Sequence, residues 1–210
     1  MRDKKDMIQN PAPKVLLMYQ AVNQMINEGT DFSAFKVSDI TNRAGIGKGT
    51  AYEYFESKEE IIVCSLLYQM QEYMIEINKI IDGEGNFKNK IYRLLDFGSD
   101  HFYHGRTFLQ ILKILLGMID IPESLRIGLK EPRKVCIWNQ FEGSIDRMVQ
   151  LGIQEGILKE YKPEYYHYIV HTQIISFVMC LHEESMGKPI FASEAEKKEF
   201  IYHNLIHQLG

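Results

Sequence analysis

The sequence predicts an all-α protein of about nine helices. Apolar residues recur at steps of three and four along most of the 210 residues, which is the period of an amphipathic helix. No segment keeps the strict alternation of apolar and polar residues that is typical of a half-buried strand. Glycines, prolines and Ser-x-x-Glu patterns separate the periodic blocks, as expected at helix ends.

The composition is that of an ordinary globular protein, since 45% of the residues are hydrophobic and 25% are charged. This balance excludes the disordered, fibrous and disulfide-rich classes. The net charge of −4 does not by itself favour a nucleic-acid partner, but it divides into +1 for residues 1–58 and −5 for residues 59–210. The first quarter of the chain is therefore relatively basic.

The cysteine and hydropathy patterns indicate a cytoplasmic protein. Cys64, Cys136 and Cys180 are odd in number and far apart, which favours neither a disulfide framework nor a CxxC metal site. Residues 1–14 are polar and have no features of a signal or transit peptide. Residues 165–182 carry no formal charge, but their His and Gln side chains would be costly in lipid. We therefore interpret this stretch as a buried interface helix and expect no membrane partner.

The first three predicted helices are close together in sequence. The periodic patterns predict helices over residues 14–28, 37–44 and 48–55. Gly45-Ile46-Gly47 separates the second from the third, and such a glycine-bearing turn lets two short helices cross steeply. This arrangement is typical of a helix-turn-helix.

The remaining helices are predicted to be longer. Ser57 and Glu60 have the spacing of a capping box, so a long helix should begin at Ser57 and continue to about Ile81. Ser193 and Glu196 have the same spacing at the start of the last helix. The other predicted helices span residues 87–103, 106–119, 132–156, 163–186 and 193–209.

Several motifs between residues 35 and 61 occur in a recognisable order. They are Val37-Ser38-Asp39-Ile40, Ala44-Gly45-Ile46, Lys48-Gly49-Thr50, Tyr52-Glu53-Tyr54-Phe55 and Ser57-Lys58-Glu59. This order resembles the helix-turn-helix of the TetR family of transcriptional regulators. The resemblance implies a DNA-binding domain over residues 1–57 and a ligand-binding and dimerisation domain over residues 58–210.

The third predicted helix would be the recognition helix of this motif. The pattern predicts that Ile40, Ala44, Ile46, Ala51 and Phe55 pack between the short helices. The outward-facing residues are the candidates for DNA contact: Lys48, Gly49, Thr50, Tyr52, Glu53, Tyr54 and Lys58. As the resemblance implies, Thr50, Tyr52 and Lys58 would fix the position of the helix on the phosphate backbone. Lys48 and Glu53 would read bases.

Four positions of the motif depart from the family: Lys36, Thr41, Gly47 and Ala51. Gly47 stands at the cap of the recognition helix, where the family commonly has Ser or Thr. Glycine is a tolerable N-cap that costs only a few tenths of a kcal/mol relative to Ser. We therefore expect the recognition helix to form.

The resemblance also implies an apolar ligand among the middle helices. Our candidates for its binding site are aromatic residues and histidines of the middle helices. His171 or His101 would be the polar anchor for the ligand. They are His101, Phe102, Trp138, Phe141 and His171.

The last two helices would pair with their copies in a homodimer, as the resemblance implies. Burial of apolar side chains of the charge-free helix would stabilise that contact. These side chains are Ile169, Ile174, Phe177, Cys180 and Leu181.

Together these interpretations predict a ligand-responsive regulator, most simply a repressor. It would bind a palindromic operator in double-stranded DNA as a homodimer, with its two recognition helices in successive major grooves. A small, largely apolar effector would change their separation and release the DNA.

Two other classes of function stay open. The first is a helical ligand-binding or interaction protein without DNA binding, which the nearly neutral charge of residues 1–58 allows. The second is a metal-dependent helical enzyme, because His101 and His104, His167 and His171, and His203 and His207 are spaced for chelation from one helix face. No nucleophile motif, Gly-rich phosphate loop or HExxH accompanies them. We therefore expect no enzyme activity, no cofactor and no metal.

Overall fold

The all-α prediction is confirmed. A computed structural model describes residues 6–115, 123–129 and 132–210, and leaves undescribed the side chains of residues 6, 113, 115, 126, 128, 129 and 132–138. Within these ranges the chain forms helices connected by turns, with no strand. The elements are α1 (Asp6–Gln9), α2 (Pro13–Asn27), a 3-10 turn (Phe32–Ala34), α3 (Val37–Arg43), α4 (Lys48–Tyr54), α5 (Lys58–Asp82), α6 (Phe87–His104), α7 (Arg106–Leu115), α8 (Glu123–Leu129), α9 (Pro132–Gln154), α10 (Pro163–Ser185) and α11 (Glu194–Leu209).

The nine predicted helices correspond to α2–α7 and α9–α11, with bounds that differ by one or two residues where the structure describes them. The predicted end of the helix over residues 106–119 lies outside the described residues. Sequence reasoning missed α1 and α8. Helices of four and seven residues are too short to show a clear apolar period.

Both predicted capping boxes are present. The Oγ of Ser57 accepts a hydrogen bond from the amide of Glu60 at 3.1 Å, and the Glu60 carboxylate accepts one from the amide of Glu56 at 2.7 Å. At α11, Ser193 Oγ accepts from the Glu196 amide at 3.2 Å. Each serine therefore satisfies an amide that the first turn of a helix leaves without an intrahelical partner.

The described chain divides into two compact units, which do not coincide with the two predicted domains. Unit 1 comprises Met1–Ile75 and Tyr103–Trp138, and unit 2 comprises Glu76–Phe102 and Asn139–Gly210. The division into compact units does not test where the DNA-binding domain ends and the ligand-binding domain begins. The functional boundary between residues 57 and 58 thus stays a prediction.

Tyr19 of α2 is a central side chain of unit 1. It is 1% exposed, and its ring centroid lies 6.2 Å from that of Phe55 and 5.4 Å from that of Tyr68 in α5. Its hydroxyl donates to the carbonyl of Met7 at 3.0 Å. One residue thus connects α1, α2, α5 and the end of the helix-turn-helix, which fixes the short helices on the long one.

Asn27, the last residue of α2, caps the start of α7 in the same unit. Its Oδ1 accepts hydrogen bonds from the backbone amide and the hydroxyl of Thr107, both at 3.0 Å. Gly105 leaves the space for this contact, because a Cβ there would lie 3.0 Å from Asn27 Oδ1. The first turn of α7 is therefore tied to the helix that precedes the helix-turn-helix.

Unit 2 contains two hydrophobic clusters. Cluster 1 includes Phe87, Val149, Ile169 and Leu205, with Phe141 packed against it. Cluster 2 consists of Phe177, Leu181 and Ile201, with Leu95 and Phe102 packed against it. Helix α10 contributes to both clusters, so its buried face holds the interior of the unit together.

An ion triad centred on a buried lysine joins α10 to α11. Lys197 has no exposed surface, and its Nζ lies 2.7 Å from carboxylate oxygens of both Glu184 and Glu194. Burial lowers the pKa of Lys197, but the bonds to the two carboxylates outweigh this and raise it above its ordinary value. The lysine is thus held charged, and breaking either pair would leave a buried charge poorly compensated.

The contact between Asn27 and Thr107 predicts a specific loss of stability. Replacing Asn27 with Ala should lower the free energy of unfolding by about 1 kcal/mol, because the first turn of α7 loses its acceptor. Asn27→Asp keeps an acceptor at the same position and should retain most of the stability. Urea unfolding followed by circular dichroism measures the difference, and equal losses in the two variants would contradict this role of Asn27.

Candidate nucleic-acid interface and effector-binding residues

The predicted helix-turn-helix is present as α3, a four-residue turn and α4. Gly45 has a φ of +65°, which favours glycine, and its amide donates to the carbonyl of Asn42 at 3.2 Å. The Ile46 amide donates to the carbonyl of Thr41 at 3.0 Å. These two bonds end α3 and turn the chain towards α4.

The inward-facing residues pack as predicted, with one exception. Ile40, Ala51 and Phe55 are at most 2% exposed, and Ala44 is buried too. Ile46 is only half-buried, since it lies in the turn itself. A small residue at position 51 lets α4 lie close against the core.

The candidate DNA contacts of α4 are mostly at the surface. Lys48, Gly49, Tyr52 and Glu53 are exposed, while Thr50 and Tyr54 are half-buried. The Lys48 Nζ lies 5.9 Å from the centroid of the Tyr52 ring, so these two side chains cover one turn of the exposed face. Their roles in DNA binding stay predictions.

Lys58 has a different environment from the other candidates. It is half-buried, and its Nζ donates to the carbonyls of Ser33 at 3.2 Å and Phe35 at 3.1 Å. The interpretation of Lys58 as a side chain that simply faces outward is therefore incomplete. The Lys58 side chain also ties the first turn of α5 to the segment before α3. The carbonyls that accept its hydrogen bonds lie 23 and 25 residues away in sequence.

An ion pair fixes the other end of α3. Two guanidinium nitrogens of Arg43 donate to the two carboxylate oxygens of Glu28, each at 2.6 Å. The hydrogen bond from Arg43 lowers the pKa of the Glu28 carboxyl. A bidentate pair restrains direction as well as distance, so it aligns α3 with the end of α2.

Two of the predicted effector-binding residues lie together in unit 2. The rings of Phe141 in α9 and His171 in α10 are stacked, with centroids 5.8 Å apart and planes 7° apart. Burial lowers the pKa of His171, which favours its neutral form. A neutral imidazole beside an aromatic ring suits a largely apolar environment.

The other predicted effector-binding residues lie elsewhere. Phe102 packs against cluster 2, whereas Phe141 packs against cluster 1. His101 Nε2 lies 3.4 Å from a carboxylate oxygen of Glu76, and its ring stacks edge-on against Phe97. The side chain of Trp138 lies outside the described residues. The set therefore stays a group of separate candidates.

The spaced histidines have carboxylate neighbours that sequence reasoning missed. His167 Nε2 lies 2.9 Å from Asp146, and its Nδ1 lies 3.9 Å from Glu142 in the facing helix. His203 lies 3.3 Å from Glu199. No three His, Cys, Asp or Glu side chains in the described ranges are grouped so that they could hold a metal ion.

The helix-turn-helix also matches a family model. Residues 21–63 match the model of bacterial regulatory proteins of the tetR family, and this segment includes α3, its turn and α4. The resemblance to the TetR family that the sequence motifs predicted is confirmed over these residues. The matched segment contains all seven candidate DNA contacts. Six of them lie in the recognition helix, and the seventh, Lys58, lies in the next helix.

Two curated proteins resemble this chain over most of its length. The fatty acid metabolism regulator protein of Bacillus subtilis is 24% identical over 70% of this chain and 72% of its own length. An HTH-type transcriptional regulator of Staphylococcus aureus is 23% identical over 75% of this chain and 82% of its own.

Solved structures share the fold. The transcriptional regulator FadR of Bacillus subtilis, crystallised in complex with stearoyl-CoA, aligns with a TM-score of 0.61 at 18% identity. The alignment covers 93% of this chain and 97% of that one. The reduced form of NemR from E. coli aligns with a TM-score of 0.68 at 16% identity, over 94% and 97% of the two chains. The similarity of fold thus extends beyond the helix-turn-helix.

Most of the side chains predicted to form the dimer contact are buried within the single chain. Ile169, Phe177, Cys180 and Leu181 are at most 6% exposed in the single chain, and Ile174 is half-buried. They are buried within their own subunit, so four of them have little surface left for a partner. Sequence periodicity did not separate the faces, because α10 is apolar nearly all round.

A different face of α10 is exposed and apolar. It includes Tyr165, Tyr168 and Met179, and Met186 continues it as the residue that caps the end of the helix. Tyr168 is 65% exposed and Met186 64%. Their spacing of three, eleven and seven residues keeps them on one side of the helix. We call these four residues the α10 stripe.

Among the residues that the structure describes, no helix is long and apolar enough to cross a membrane.

The glycine cap of the recognition helix yields a direct prediction. Gly47 has ordinary N-cap angles and no atom within 4 Å of where a Cβ would lie. Gly47→Ser should raise the free energy of unfolding by about 0.5 kcal/mol, since its hydroxyl can accept from the first turn of α4. Gly47→Ala adds the same Cβ without an acceptor. The Ser variant should exceed it by about 1 kcal/mol in thermal unfolding, and equal melting temperatures would contradict the capping argument.

Proposed function

We propose that this chain is a TetR-family repressor that binds a palindromic operator as a homodimer and is released by a small, largely apolar effector. The observation that carries the proposal is the helix-turn-helix, whose recognition helix buries Ala51 and exposes Lys48 and Tyr52 within the segment that matches the family. Exposed cationic and aromatic side chains on such a helix suit a groove lined by phosphates. A protein with this task works in the cytoplasm.

The proposed contacts divide between position and sequence. Thr50, Tyr52, Tyr54 and Lys58 would contact the phosphate backbone, and Lys48 and Glu53 would reach base edges. Gly49 adds no side chain between the helix and DNA. Because Lys58 already donates to two carbonyls, its third N–H is the one that could face a phosphate.

The α10 stripe supports the homodimer. Exposed aromatic and sulfur-bearing side chains in one row are costly in water, and a second copy of the helix would bury them. The proposed contact therefore keeps the predicted helices, α10 and α11, and moves the interface to the opposite side of α10.

The effector is proposed from the chemistry of unit 2 and from one relative. Phe102 and Phe141 are half-buried and pack against the two clusters, and half-buried His171 stacks on Phe141. His101 and Trp138 stay further candidates. The similar FadR of Bacillus subtilis was crystallised with stearoyl-CoA. A long-chain acyl thioester is therefore the first effector to test.

A protein without DNA binding is the second candidate. The charge of +1 over residues 1–58 gives little general attraction to a polyanion, and Lys58 is engaged within the subunit. For catalytic activity we make no proposal. The similar curated proteins are regulators, and the sequence carries no enzyme motif.

Selection from a random pool of duplexes tests the proposal directly. The purified full-length protein at near-physiological salt should enrich a palindromic sequence over a scrambled control. Absence of enrichment, with and without acyl thioester present, would favour the candidate without DNA binding.

The selected operator makes Lys48 testable. Lys48→Glu should weaken operator binding at least tenfold and reduce the slope of log affinity against log salt by about one. Lys159→Glu makes the same charge change at an exposed position of unit 2 and should leave affinity unchanged. If both variants bind like the wild type in fluorescence anisotropy titrations, Lys48 does not contact DNA.

The homodimer is tested by charge placed in the α10 stripe. Tyr168→Glu or Met179→Glu should shift the protein to monomers at micromolar concentration, because a carboxylate would be buried opposite its own copy. Ile127→Glu, at an equally exposed apolar position of α8, is the control. Sedimentation velocity measures the state, and a persistent dimer in both stripe variants would exclude this interface.

A further inference from the structure

Gln173 is a buried polar residue of α10 with an unsatisfied side chain. It is 9% exposed, and its Oε1 is buried without a hydrogen-bond partner. Leaving a buried acceptor unpaired typically costs about 1–3 kcal/mol. A buried acceptor that stays unpaired in the free protein therefore requires an explanation.

Three other buried polar residues of unit 2 have hydrogen-bond or ion-pair partners. The Lys90 Nζ donates to the carbonyl of Ile81 at 2.6 Å, and the Ser144 hydroxyl donates to Asn78 Oδ1 at 2.9 Å. Lys197 is bound by two carboxylates. The open acceptor of Gln173 contrasts with these three groups.

The position of Gln173 connects the two hydrophobic clusters. It lies four residues after Ile169, which belongs to cluster 1, and four residues before Phe177, which belongs to cluster 2. These spacings place the three side chains on the same face of α10. Gln173 thus stands where the apolar face of α10 passes from the cluster that Phe141 packs against to the one that Phe102 packs against.

We propose that Gln173 is the polar anchor of the effector site. Its Oε1 would accept a hydrogen bond from an O–H or N–H group of a ligand whose aliphatic chain lies against both clusters. This inference rests on the proposed effector binding and adds a chemical requirement, since an apolar ligand must carry a donor next to its chain. A hydroxyl on the chain meets this requirement, and so do the amide N–H groups of the pantetheine arm of a coenzyme A thioester.

Three probes with the same chain length distinguish these chemistries. Dodecan-1-ol has a hydroxyl donor, dodecanoyl-CoA has amide donors beyond its thioester, and dodecyl methyl ether has no donor. Their dissociation constants for the full-length protein and for Gln173→Leu should be measured by displacement of a fluorescent fatty-chain reporter. Leu has a similar volume and no acceptor, so it removes the hydrogen bond without opening a cavity.

We expect Gln173→Leu to weaken at least one donor-bearing probe about tenfold and to leave the ether unchanged or bound more tightly. The probe that is weakened identifies the source of the donor. The variant should also melt at a higher temperature than the wild type, because the unsatisfied acceptor is gone. Gln150→Leu, at an exposed position of α9, is the control and should change neither measurement.

Two results would overturn the inference. One is equal binding of both donor-bearing probes by wild type and Gln173→Leu, and the other is no binding of any probe by the wild type. Operator selection is independent of both, so a protein that enriches a palindrome but fails here keeps its proposed DNA binding and loses only this anchor. A variant that does not fold is replaced by Gln173→Met, which also lacks the acceptor.

Discussion

Satisfying the ends of the helices is the constraint on which the rest of this structure depends. An all-α chain leaves free amides at the start of every helix and free carbonyls at its end. Here distant side chains supply several partners: Asn27 for the start of α7, Glu155 for the amide of Phe87 at the start of α6, and Lys90 for the carbonyl of Ile81 near the end of α5. These contacts both complete the helices and fix how neighbouring helices meet.

The separation in sequence between a helix end and its partner explains what sequence reasoning could and could not predict. Ser57 and Ser193 were found as caps because their partners lie three residues away. Asn27 and Glu155 were missed because their partners are 80 and 68 residues away, and no local pattern indicates them. The number, order and approximate bounds of the longer helices are local properties, so they were predictable.

The same reasoning applies to the candidate sites. The helix-turn-helix was predictable because its turn, its small residue Ala51 and its buried Phe55 lie within one short segment. The buried face of α10 was not, since apolar residues surround that helix and only its neighbours decide which of them are covered. Gln173 was missed for a related reason: its sequence neighbourhood reveals neither its burial nor its unpaired oxygen.

Lys197 and Gln173 show two uses of buried polarity in one unit. Lys197 in the first turn of α11 joins that helix to the end of α10 through Glu184, and a charged group in a fixed geometry specifies how these two helices pair. Gln173 has the opposite property, since an acceptor without a partner adds nothing to the stability of the free subunit. In the proposal above a bound molecule supplies the missing donor, which makes the occupied state of unit 2 the better satisfied one.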